Sequence, residues 1–189
     1  MQNIVYLDNA ATSFPKPEIV HATSSTFYSN NGVNPGRTGC DLAVNAERMI
    51  IGTRKGLSAF FNPSFERAGR EKDYRRLVFT LNATMSLNLI INGKVGPGDH
   101  VVSTVLEHDA VIRPVNHRVR DVGAEATFVQ PDAEGYLDPE AIRQAIRKNT
   151  TLVIVNHGSN VTGVVQDLEA IGRVCREAGV PLAVDAAQT

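Results

Sequence analysis

Apolar residues along the chain change their rhythm near residue 77. Before it they recur at helical spacing. Leu42, Ala46, Met49, Ile50 and Leu57 predict a helix over Asp41–Phe61. Pro15-Lys16-Pro17-Glu18 reads as a helix start, with apolar residues following to Phe27. The turn residues of 30–37 predict a loop, and 62–76 a polar connection whose charged part, 66–76, reads as a mobile surface loop. After residue 77 short apolar runs alternate with helical stretches. Strands are predicted at 77–80, 100–103, 126–129, 151–155 and 181–184. Helices are predicted at 84–94, 110–122, 138–148 and Leu168–Ala178, the third opened by Asp138-Pro139-Glu140. The 151–155 run is apolar throughout, as inside a parallel sheet. This alternation predicts an α/β fold with a mostly parallel central sheet.

Composition narrows the class further. The 189 residues suit one domain of ordinary size, with 42% hydrophobic and 21% charged residues, as in a globular protein. A net charge of -1 gives no reason to expect nucleic acid or a membrane surface as partner. Met1 to Ala11 lacks a signal-peptide pattern, and Cys40 and Cys175 form no CxxC pair, so a cytoplasmic location is expected.

In parallel α/β sheets ligands sit at the carboxyl ends of the strands. Four polar clusters follow predicted strands there. Ala83-Thr84 opens a helix, which makes either a phosphate seat or ordinary capping. GxGxxG and GxxxxGK[ST] are absent, against a dinucleotide-binding domain. His108 could stack on a flat ligand, move a proton, or be a surface histidine; no partners stand at zinc-site spacing, so no metal is expected. Asp185 ends an apolar strand, where a carboxylate needs a partner: a cationic ring nitrogen, or the cap of a following helix. Asn160 and Gln188 could hold a ring oxygen or simply build turns. Taken together, a phosphate seat, an imidazole, an acid and two amides describe pyridoxal phosphate.

Six motifs in order carry a resemblance. They are Tyr6-Leu7-Asp8-Asn9-Ala10-Ala11-Thr12, Asn34-Pro35-Gly36-Arg37, Phe79-Thr80-Leu81-Asn82-Ala83-Thr84, Glu107-His108-Asp109-Ala110-Val111-Ile112-Arg113-Pro114, Ser159-Asn160-Val161-Thr162-Gly163 and Val184-Asp185-Ala186-Ala187-Gln188. Over essentially the whole chain the sequence resembles the class V, fold type I pyridoxal-phosphate enzymes, in the cysteine desulfurase and selenocysteine lyase group. The resemblance implies a three-layer sandwich. Residues 31–189 would be the partial cofactor-binding large domain, incomplete at the C-terminus, after an N-terminal segment 1–30. It implies that Ala83 and Thr84 hold the phosphate. His108 would stack on the ring and serve catalysis, Asp185 would pair with the ring nitrogen, and Gln188 and Asn160 would meet the ring hydroxyl. Asn9, Ala10, Ala11, Thr12 and Arg37 would line the substrate side. The implied reaction takes sulfur from L-cysteine, leaving alanine and a persulfide on an enzyme cysteine.

The family's covalent lysine follows the Val184–Gln188 motif by a couple of dozen residues, and none of Lys16, Lys55, Lys72, Lys94 and Lys148 has a matching context. The resemblance also implies a small C-terminal domain with the nucleophilic cysteine, expected to lie outside these 189 residues. The expectation is therefore an N-terminal part of a desulfurase-like enzyme, inactive by itself and holding pyridoxal phosphate non-covalently. It would take a small amino-acid substrate and form a homodimer or associate with a C-terminal half. Another class V reaction (transamination, selenocysteine lysis, epimerisation) or a non-catalytic remnant binding cofactor or a partner are the alternatives. Cys40 stands where relatives often carry histidine and could be a thiol near the site, whereas Cys175 reads as packing.

Overall fold

The computed structural model describes residues 5–36, 40–61 and 74–189. They belong to two compact units, Met1–Phe79 and Thr80–Thr189.

The first unit holds helices α1 (Glu18–Asn31) and α2 (Asp41–Phe61), which pack together, and a 3-10 turn at Tyr74–Arg76. α1 starts directly after Pro17, whose fixed φ suits that place. It runs to Asn31, so Asn30 and Asn31 are helical rather than part of the expected loop. Ala43 and Ala46 are the buried face of α2. The predicted strand at 77–80 does not form. Leu77 closes the 3-10 turn instead, its N–H on the Tyr74 carbonyl at 3.1 Å. Thr80 turns its hydroxyl onto the Asn82 carbonyl at 3.0 Å. With those local bonds made and no strand paired alongside among the described residues, no ladder supports an extended run there. Of the predicted 66–76 loop, 66–73 lie outside the described residues.

The second unit alternates strand and helix: α3 (Ala83–Lys94), β1 (His100–Thr104), α4 (Asp109–His117), β2 (Glu125–Val129), α5 (Pro139–Ala145), β3 (Thr150–Asn156), α6 (Leu168–Ala178) and β4 (Leu182–Asp185). The sheet order is β2-β1-β3-β4, every pair parallel. Successive side chains on a strand face opposite ways. Val101, Leu152 and Ile154 therefore pack against α3 and α4, while Val102, Val153 and Val155 pack against α5 and α6. Both faces are covered, which explains the unbroken apolar run of β3 and makes the unit a three-layer sandwich.

Two helices end earlier than their periodicity suggests. α4 stops at His117, where the Arg118 N–H is shared between the Pro114 and Val115 carbonyls and the chain widens into a π turn over Arg118–Val122. Gly123, at φ 80°, closes that turn in a backbone region other residues avoid. α5 stops at Ala145 because Arg147 turns away: its N–H donates to Thr150 Oγ1 at 2.7 Å and its guanidinium reaches Glu125 at 2.6 Å.

Candidate functional site

The carboxyl ends of the strands and the first turns of the helices gather the polar side chains. Asn82 is extended and caps α3, its side-chain oxygen accepting the Met85 N–H at 2.9 Å. Its carbonyl takes the Ser86 N–H at 3.2 Å. Ala83 and Thr84 are left with N–H groups that find no partner among the described residues, at the positive end of the helix dipole.

His108 caps α4 in the same way. Its Nδ1 accepts the Ala110 N–H at 3.1 Å. A nitrogen that accepts carries no proton, so in the neutral ring the proton sits on Nε2. Thr84, Asn88, His108, Asp109, Arg113 and His117 border an open cavity of about 570 Å³. It joins the first turns of α3 and α4 and continues along both helices. Only the end at Thr84 and His108 coincides with the expected seat; the rest is a groove between helices. Arg113 pairs with Asp109 at 2.6 Å on an exposed surface, a contact of little energetic weight.

Asp185 is buried at the end of β4. Its Oδ1 accepts the Ala187 N–H at 3.1 Å, and its carbonyl takes the His157 N–H at 2.9 Å. It stands in register with Asn156 on β3. Asn160 is exposed in a tight turn where Ser159 Oγ accepts the N–H groups of Val161 and Thr162, both at 3.2 Å. Gln188 is exposed in the segment after β4, and the next residue, Thr189, holds its Oγ1 2.8 Å from His157 Nδ1. Ala83, Asn160, Asp185 and Gln188 do not border the cavity.

On the first unit, Asn9 Oδ1 accepts the Phe14 N–H at 3.1 Å, and the Ala11 N–H reaches the Asp8 carbonyl at 3.2 Å, so residues 8–14 form a closed turn. Ala10 and Thr12 are exposed within it. Arg37 lies outside the described residues. Cys40 is exposed, and Cys175 is buried in the core on α6, where burial pushes its thiol up.

Reading the sequence assigned no site role to Asn88, Arg113 or His117, although Thr84/Asn88 and Asp109/Arg113/His117 stand four apart on their helices. It also left out Glu107 and Asn156. Glu107 is buried, with Oε1 accepting from Thr104 Oγ1 at 2.7 Å and from the Asn156 N–H at 3.0 Å. Burial, with a smaller push from the Asp185 charge, raises its carboxyl to about 7 against the opposing pull of those two hydrogen bonds. In the sequence it sits between a strand and a histidine, with nothing to mark it as buried.

An open parallel sheet with helix N-termini, an imidazole and a buried acid at its carboxyl edge defines a ligand-binding α/β domain. The family is specific: the chain belongs to the aminotransferase class-V family, whose model matches residues 5–189. It is 33% identical over 190 residues to a "Probable cysteine desulfurase" of Methanothermobacter thermautotrophicus, covering 100% of this chain and 45% of that one. It is 35% identical over 188 residues to the cysteine desulfurase IscS of Methylococcus capsulatus, covering 97% and 44%. The fold is similar to the apo cysteine desulfurase of Thermococcus onnurineus NA1, with a TM-score of 0.86 and 30% identity over 98% of this chain and 44% of that one. SspA in complex with cysteine superposes with a TM-score of 0.83 at 26% identity, over 98% and 51%. The chain thus spans about 45% of the length of the curated relatives it matches.

Proposed function

We propose that this chain is the cofactor-holding, N-terminal part of a pyridoxal-phosphate-dependent cysteine desulfurase-like enzyme acting on L-cysteine. The observation that carries the reading is the open cavity bordered by both Thr84, in the first turn of α3, and His108. Two convergent donors and a hydroxyl fit a phosphate group. Asp185, a buried acid whose Oδ1 accepts the Ala187 N–H, fits a protonated ring nitrogen. Bound pyridoxal phosphate supplies an electron sink for the substrate's α-carbon.

The chain's own residues would do the rest. Ala83 and Thr84 anchor the phosphate through backbone N–H groups, with the Thr84 hydroxyl as a third donor. His108 lays its imidazole against the ring. Because Nδ1 is committed to Ala110, this histidine offers an Nε2 proton and can take one at Nδ1 only by giving up the helix cap. Asp185 holds the ring nitrogen's proton, and Asn160 and Gln188 bond the ring hydroxyl. The family resemblance assigns Asn9, Ala10, Ala11, Thr12 and Arg37 to the substrate side. Residues 1–189 alone hold the cofactor without covalent attachment and do not turn over cysteine. The whole protein works in the cytoplasm as a dimer.

The test is circular dichroism of added pyridoxal phosphate. The free cofactor is achiral and silent, so an induced band reports an asymmetric site. A saturable band that Thr84→Ala and Asp185→Ala weaken supports the reading. Absence of a band with the folded, unaltered protein refutes it.

A further inference from the structure

Glu107 is a buried carboxyl with no part in the roles above. Its Oε1 takes the Thr104 hydroxyl and the Asn156 N–H. Asn156 answers with its Nδ2, which donates to the Leu106 carbonyl at 2.9 Å. The Leu106 N–H donates to Thr104 Oγ1 at 3.2 Å. Two of these bonds thus clasp the loop after β1 to the last residue of β3, and the other two brace the loop against the end of β1. The residue after Glu107 is His108, and the register partner of Asn156 is Asp185. One buried clasp therefore lies next to both groups assigned to the cofactor ring.

Within it two buried oxygens have no partner among the described residues, Glu107 Oε2 and Asn156 Oδ1. Both are acceptors if Glu107 is ionised, and two bare acceptors buried together are costly. A proton on Oε2 turns one of them into a donor. Thr104 from β1 and Asn156 from β3 are neutral; the charged neighbour is Asp185 of β4, and it disfavours a second negative charge.

We propose that Glu107 is a positioning residue, a neutral acid whose clasp through Thr104 and Asn156 fixes His108 and Asp185 in place for the cofactor. This rests on the proposed function above. Glutamine keeps the shape and a donor at Oε2, whereas alanine strands Thr104 and Asn156.

The test uses the protein as encoded, unaltered and as Glu107→Gln and Glu107→Ala. The dissociation constant for pyridoxal phosphate is read from its induced circular dichroism across the neutral pH range. A second readout is the ¹³C resonance of the labelled Glu107 carboxyl in cofactor-free protein. Glu107→Gln is expected to bind as the unaltered protein does at mildly acidic pH, and to outbind it as pH rises through neutrality. Glu107→Ala should bind about tenfold more weakly, the size of one stranded buried hydrogen bond. Equal affinities for the two variants, or no pH-dependent gap between glutamine and glutamate, overturn the proposal. A labelled carboxyl titrating with ordinary glutamates overturns it too, even if alanine prevents folding. Failure of the unaltered protein to bind the cofactor sinks the proposed function, while the carboxyl titration separately decides whether the clasp is neutral.

Discussion

Replacing Glu107 by glutamine removes a charge that the fold resists. The folded carboxyl is raised from the ordinary 4.5 to about 7, with burial the largest cause. A group raised on folding contributes stability that is complete below its unfolded value and lost as pH climbs through the folded one. At about 1.4 kcal/mol for each pH unit, that interval amounts to about 3 kcal/mol. The unaltered protein should therefore lose about 3 kcal/mol relative to Glu107→Gln between about pH 4 and about pH 8. Groups not coupled to Glu107 act on both proteins alike, so the difference between the two curves reports this carboxyl together with its interaction with Asp185. Urea denaturation at a series of pH values, followed by far-ultraviolet circular dichroism, measures it. A difference that stays flat with pH would show that Glu107 ionises freely, and the burial argument would be wrong.

Other substitutions probe other links. His100 is buried with Nδ1 2.8 Å from Thr150 Oγ1 and Nε2 2.9 Å from Thr127 Oγ1. Burial lowers its pKa, so its contribution is complete above the ordinary 6.5 and is lost as pH falls below it; Thr150→Val should cost about 1–3 kcal/mol in urea denaturation by stranding a ring nitrogen. Asn82→Ala should cost about 0.5–2 kcal/mol, and Asn82→Ser much less, because serine still caps Met85. Ile154→Ala, at a fully buried position of β3, should cost about 2–5 kcal/mol, read as a lowered thermal midpoint.

The sheet was legible wherever burial on both faces leaves an apolar run. Thr150–Asn156 and His100–Thr104 announce themselves for that reason. α6 was legible to the residue, because Asp167 caps it and Gly179 closes it in the left-handed region. Leu77 to Thr80 looked like a strand because apolar content says nothing about whether a neighbour is there to pair. The π turn at Arg118–Val122 was hidden, since it is set by the Gly123 N–H reaching back five residues to the Arg118 carbonyl. Much of the candidate site was visible as motifs at strand ends. Glu107 and Asn156 were not, because their character comes from burial and from each other, across 49 residues of chain.

The parallel sheet also has a consequence for how the protein is made. β1 is central, yet its partner β3 is contributed by residues 50 positions later, as His100 and Thr150 show. At about 5–20 residues per second, a ribosome needs a few seconds to supply that partner. During that interval Val102, fully buried in the finished sheet, has neither β3 beside it nor α5 and α6 to cover it. Long-range parallel pairing is intrinsically slow to nucleate. Yield of soluble protein should therefore depend on chaperone supply and synthesis temperature more than on the final stability of the fold.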